Sequence, residues 1–169
     1  LGVMPTGAGK SLCYQVPALL LEGITLVVSP LISLMRDQVQ SLVANGITAA
    51  FINSSLTDKQ FSRVIANART GLYKIIYIAP ERLLAPSMLA LAGSIKVSMI
   101  AVDEAHCISQ WGQDFRPSYL DIIKFVDYLP LRPVLAAFTA TATPRVREDI
   151  LATLNLTNPF VKITGFDRP

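Results

Sequence analysis

A lysine behind two glycines, in Gly7-Ala8-Gly9-Lys10-Ser11, and two adjacent carboxylates, Asp103 and Glu104, are residues whose types and spacing could do chemistry. Gly7 and Gly9 permit positive φ and leave no side chain between the backbone and a ligand. Amide N–H groups from Thr6 through Ala8 to Ser11 can then turn inward on phosphate oxygens, and a helix starting near Lys10 would add the partial positive charge of its amino terminus. Lys10 would reach the β- and γ-phosphates, and the Ser11 hydroxyl would hold Mg²⁺. The full pattern G-x-x-x-x-G-K-[ST] asks for glycine where Met4 stands, so "MPTGAGKS" is a near match.

The carboxylates close an apolar run, "SMIAVDEAH". Residues at a strand end can both turn toward one site, although within the strand they alternate faces. Asp103 would bind Mg²⁺ through its waters, and Glu104 would polarise the water that attacks the γ-phosphate. Taken singly, the first block also reads as an ordinary glycine-rich turn with a surface lysine, and the second as solvated acids. One ligand requires both blocks: a magnesium-bound nucleoside triphosphate, with hydrolysis as the reaction. His106 is the only histidine. It has two readings, a hydrogen bond to a neighbouring loop or a place packed in the core.

Positioning these groups is the task of short apolar runs alternating with helical patterns, the signature of a parallel sheet with helices on its faces. Strands are expected at 1–4, 24–29, 49–52, 74–78, 98–102, 134–138 and 160–164. Most are continuous in Val, Ile, Leu and Ala, as strands buried on both faces should be. "TDKQFSRVIANARTG" opens on Thr57 with Gln60 three residues later, a capping box, and puts Phe61, Val64, Ile65 and Ala68 on one face. "TPRVREDILATL" offers Thr143 as cap and Pro144 as first helical residue, with Val146, Ile150 and Leu154 toward the core. "SLMRDQVQSLVANG" stops at Gly46. The expected fold is α/β, an open and mostly parallel sheet with helices on both faces, forming a single domain over residues 1–169.

A chain of 169 residues with 51% hydrophobic content has enough apolar material for one core. A net charge of +3 biases it mildly toward anionic partners and does not by itself argue for nucleic acid. Cys13 and Cys107 lack zinc-type pairing or a disulfide framework, so a reduced, intracellular setting is expected, with both acting as small apolar core residues. Because "LGVM" runs straight into the glycine turn, the chain is expected to be a piece of something longer. No apolar run approaches bilayer length, so no membrane partner is expected.

With those residues in view, the sequence resembles helicases of superfamily 2, and specifically the RecQ family of DNA helicases. "MPTGAGKS" resembles motif I, "VVSPLISLMRDQV" motif Ia, "IIYIAPERLL" motif Ib, "VDEAHCISQWGQDFRPSY" motif II with its aromatic-rich loop, and "FTATATP" motif III. The closing "GFDRP" is similar to the segment leading into the family's second RecA-like domain. The likeness implies the first RecA-like, P-loop domain of an ATP-dependent DNA helicase using ATP and Mg²⁺. Its implied partners are single-stranded DNA, duplex junctions and a second RecA-like domain, with 3′-to-5′ stepping in the intact protein. The implied compartment is the cytoplasm or nucleoid of a bacterium, or a eukaryotic nucleus. Trp111 and Phe115 would stack unpaired bases, with Arg116 adding charge toward the DNA backbone; the competing reading is that both aromatics plug the core. Thr139 and Thr141 match the motif that links hydrolysis to movement. Ser29, Pro30, Pro80, Glu81 and Arg82 would hold DNA phosphates at strand ends. Gln113 stands where members commonly carry histidine, so it can hydrogen-bond but not titrate. Lacking the second domain, these residues alone are expected to turn over little ATP. Competing readings are a DEAH-type RNA helicase, a double-stranded-DNA translocase, or a binding module without catalysis.

Overall fold

The computed structural model describes residues 1–164, and "GFDRP" lies outside them. Seven parallel strands form one sheet: β1 (Gly2–Val3), β2 (Ile24–Val28), β3 (Ala49–Ile52), β4 (Ile75–Ile78), β5 (Val97–Val102), β6 (Val134–Thr139) and β7 (Lys162–Ile163). Their spatial order is β3-β4-β2-β5-β6-β1-β7. The expected strands all form, with ends shifted by a residue or two. The central ones, β2 and β4, are buried along their whole length, which is why their sequences do not alternate. Among the described residues, β7 is the last strand of the sheet and is exposed, Lys162 included.

Six α-helices among the described residues cover both faces: α1 (Lys10–Leu20), α2 (Ile32–Ala44), α3 (Asp58–Arg69), α4 (Pro86–Ala92), α5 (Asp121–Tyr128) and α6 (Pro144–Thr153). The strand period of two divides the core. Leu26, Val28, Ile76, Ile78, Ile100 and Val102 point to the side of α3, α4, α5 and α6, where Ile65, Met88, Phe125 and Ile150 meet them. Val27, Tyr77, Met99 and Ala101 point the other way, to Tyr14, Ala18 and Met35 on α1 and α2. A fully buried side chain such as Phe125 contributes about 1.5–3 kcal/mol.

The helix ends follow their local signals. Thr57 and Gln60 form the reciprocal capping box on α3. Thr143 accepts the Val146 amide at the start of α6, with Pro144 as first helical residue. One cysteine departs from expectation. Cys107 is buried, but Cys13 is exposed, because it lies on the outer side of α1 while Tyr14 and Ala18 take the inner side. No helix among the described residues is long and apolar enough to cross a membrane.

Candidate functional site

Because every ladder is parallel, all strands end at the same edge of the sheet, where an open α/β sheet gathers its ligands. The register makes this edge level. Val28 pairs with both Ile78 and Val102, Val102 pairs with Ala137, and Phe138 pairs with Gly2. The segments singled out in the sequence therefore stand side by side, in the order Pro80–Arg82 after β4, Ser29 and Pro30 after β2, Asp103 and Glu104 after β5, Thr139 at the end of β6, and the glycine turn after β1. Only β6 separates β5 from β1, so the acid pair and the glycine turn leave the sheet about 10 Å apart. A triphosphate spans that gap.

In the glycine turn, Gly7 and Gly9 hold φ of 82° and 83°, values that side-chain-bearing residues resist. Gly9 caps α1 without a side-chain hydrogen bond, and the first turn of α1 carries no acid. Its leading amides and its dipole are thus left for an external anion. Lys10 Nζ donates to the Met4 carbonyl at 3.1 Å, crossing the turn. Ala8 needs a correction. Its amide donates to the Pro5 carbonyl at 3.1 Å, so it is not among the amides free to turn on a phosphate.

The neighbouring carboxylates are pushed apart in acidity. Burial raises the Asp103 carboxyl to about 6, helped by the Glu104 charge and opposed first by a hydrogen bond from the Glu104 backbone and then by Lys10 and His106. Glu104 goes the other way, lowered chiefly by its hydrogen bond with His106 and further by His106 and Lys10 charge, against a smaller burial effect. Two like groups displaced in opposite directions are how one site divides its roles. Lys10 acts on both acids, which places its charge at their site. Glu104 itself sits at φ 47°, in the left-handed region, a local strain that aims its side chain. As for magnesium, burial and the neighbouring Glu104 disfavour the charged form of Asp103, a penalty that a divalent cation would offset, and oxygen donors suit that ion. The residues present fit it.

His106 resolves toward the hydrogen-bonded reading. Its Nδ1 lies 2.9 Å from Thr139 Oγ1 and 3.3 Å from Glu104 Oε2. The Thr139 hydroxyl donates to the Thr141 carbonyl at 3.1 Å, so it accepts from Nδ1–H. A chain of contacts thus runs from Glu104 through His106 and Thr139 to Thr141. Proximity of the Cys107 sulfur, and then of Glu104, raises the histidine's pKa. Beneath this chain, buried Tyr119 donates to the Asp103 carbonyl at 2.9 Å.

The loop at 109–116 is not a core plug at Trp111, which is 61% exposed; Phe115 is half-buried. Gln113 is exposed beside them. Arg116 also departs from expectation. Its guanidinium forms a fork on Asp114 Oδ2, at 2.8 and 3.0 Å, and its Nη1 donates to the Pro30 carbonyl at 3.3 Å. It fastens this loop to the end of β2, while its ion pair with Asp114 stays partly open to solvent. Ser29 is corrected too. It is 1% exposed and its amide donates to the Ile78 carbonyl, so that amide cannot hold a phosphate. Arg82 is half-buried and Glu81 exposed in the turn after β4, whereas Pro80 is buried.

The motif readings passed over Arg145 and Asp149. Arg145 lies over the Trp111 ring, 3.6 Å from its centroid, and Asp149 accepts the Ser109 hydroxyl at 2.5 Å. Asp149 carried a faint signal, as a carboxylate beside the buried stripe of Val146 and Ile150 on α6. Arg145 carried none.

Residues 1–150 match the family model for the DEAD/DEAH box helicase. The chain is 52% identical over 167 residues to the ATP-dependent DNA helicase RecQ of Pasteurella multocida, covering 99% of this chain and 26% of that protein. It is 49% identical over 166 residues to RecQ of Bacillus subtilis, covering 98% of this chain and 28% of that one. It thus spans about a quarter of the length of these relatives. In structure it resembles the Hef helicase domain of Pyrococcus furiosus, with a TM-score of 0.72 at 19% identity, over 96% of this chain and 34% of that one.

Proposed function

The chain belongs to the DEAD/DEAH box helicases, and from that premise we propose that it is the first RecA-like motor domain of a RecQ-type DNA helicase. In the intact protein it binds ATP and single-stranded DNA and couples hydrolysis to 3′-to-5′ stepping and duplex unwinding. The observation that carries this reading is the convergence of Lys10, Asp103 and Glu104 at one edge of the sheet, with Lys10 charge acting on both acids.

In this mechanism, Gly7, Gly9 and the uncapped start of α1 receive the phosphates, and Lys10 leaves the Met4 carbonyl for their outer oxygens. Ser11 and Asp103 are the residues that would hold Mg²⁺. That ion, when bound, neutralises charge on the phosphate oxygens. Glu104, kept ionised by His106, orients the attacking water and accepts its proton. His106 and Thr139 link that base to the segment 139–143, and movement there is the route by which turnover and DNA contact inform each other. Trp111 stacks an unpaired base, supported by its exposure on a fastened loop. A second RecA-like domain closes on the ATP from the other side.

The test compares ATP hydrolysis by the intact protein without nucleic acid, with single-stranded DNA and with single-stranded RNA. DNA is expected to stimulate turnover strongly and RNA weakly. Equal or greater stimulation by RNA would replace the DNA motor with an RNA translocase.

A further inference from the structure

Helix α6 makes two separate contacts with the loop that carries Trp111, from residues four apart and so on one helix face. Arg145 places its guanidinium 3.6 Å from the centroid of the indole. Asp149 accepts the Ser109 hydroxyl at 2.5 Å, and that same Ser109 oxygen accepts the Trp111 amide at 3.1 Å. The backbone below the ring is therefore tied to α6. Gly112 tightens it further, since a Cβ there would run into the His106 carbonyl oxygen.

The ring itself protrudes, with 61% of the residue exposed. A tryptophan so placed, with only its backbone held, would exchange between rotamers, and a base meeting it would have to order it first. A planar cation against one face selects an orientation while leaving the opposite face open. We propose that Arg145 is a positioning residue that backs one face of Trp111, so that the other face is presented to an unpaired base. The inference rests on the reading of Trp111 as a base platform. It also gives the ring a physical connection to residues 139–143, because α6 begins at Pro144 on the Thr143 cap. From there the Thr141 and Thr139 contacts lead back to His106 and Glu104.

Trp111 is the single tryptophan among these 169 residues; with any tryptophan elsewhere in the intact protein replaced by phenylalanine, intrinsic fluorescence reports on this ring alone. The probe is a single-stranded oligothymidylate, measured by quenching of Trp111 emission and by anisotropy of a fluorescein label on the oligonucleotide. Arg145 is exposed, so its variants should keep the wild-type far-ultraviolet dichroism. Arg145→Ala is expected to weaken the oligonucleotide by about three- to tenfold and to raise the quenching of the free ring by acrylamide. Arg145→Lys keeps the charge without the plane and is expected to recover less than half of the loss. Unchanged or tighter binding by Arg145→Ala overturns the proposal, as does full recovery by Arg145→Lys, which would make the residue a simple charge. Trp111→Ala separates the two levels of the argument. If it leaves the anisotropy curve unchanged, or if the wild-type ring is not quenched by the oligonucleotide, the base-platform reading fails and Arg145 falls with it. If Trp111→Ala weakens binding and Arg145→Ala does not, only the role of Arg145 is wrong.

Discussion

The turn after β1 and the loop after β5 leave the same sheet edge two strands apart, yet they are held in opposite ways. The glycine turn is nearly bare. Its helix begins on a glycine without a side-chain cap, and Lys10 is tied only to the backbone of Met4. The loop at 109–116 is stitched to two elements, to α6 through Ser109 and Trp111 and to the end of β2 through Arg116, and is tied back on itself through Asp114. On the proposed function, the contrast follows from what each would do. A polyphosphate site would leave its helix start uncapped, as that of α1 is, because a side-chain cap would compete with the ligand. A loop that passes information has to be mechanically joined to what it moves.

Substitutions can break or sharpen that contrast. The largest effect is expected from Glu104→Gln in the intact protein, which removes the base while preserving shape. ATP turnover should fall by about 10²- to 10⁴-fold with nucleotide still bound, read by steady-state hydrolysis and by binding of a fluorescent ATP analogue. Persisting turnover would dismiss Glu104 from its role. Next is Lys10→Ala on the bare side. Loss of a charge-assisted contact should weaken nucleotide by about 10- to 100-fold, with the melting temperature of the free protein almost unchanged. A large thermal shift would mean that Lys10 supports the fold instead.

On the fastened side the order should invert, with stability and coupling affected before nucleotide affinity. Gly112→Ala forces a methyl against the His106 carbonyl and should cost about 1–3 kcal/mol in urea unfolding while lowering DNA stimulation of the ATPase. Unchanged unfolding would show that the loop is loose. The smallest effects come from a matched pair of caps. Thr57→Ala and Thr143→Ala each remove one amino-terminal cap, at about 1 kcal/mol. Only the second lies on the path between Trp111 and His106, so only the second should also reduce DNA stimulation. Equal behaviour of the two in the ATPase assay would argue against that path.

Much of this was legible beforehand because its causes are local. The capping box of Thr57 and Gln60, the Thr143-Pro144 start of α6, the stop at Gly46 and the buried central strands all follow from residue types within a few positions of one another. The glycine turn and the acid pair stand out in the sequence for the same reason, since each is a short pattern. The misreadings share one cause as well. Ser29 and Ala8 looked available to phosphate, but whether an amide is free depends on which carbonyl lies across from it, and Ile78 and Pro5 supply those. Arg116 pairs with Asp114 two residues away and with the Pro30 carbonyl, and only the second contact needs the folded sheet.

By itself, the order of residues determined the parallel α/β layers, the starts of α3 and α6 and which groups are candidates for chemistry, because each depends on propensity and spacing along the chain. Only the tertiary structure decided that β6 alone stands between those groups, that Asp103 and Glu104 shift in opposite directions, and that Arg145 lies on Trp111. Burial, field and contact are properties of three-dimensional neighbours, and residues dozens of positions apart become neighbours only once the sheet has formed.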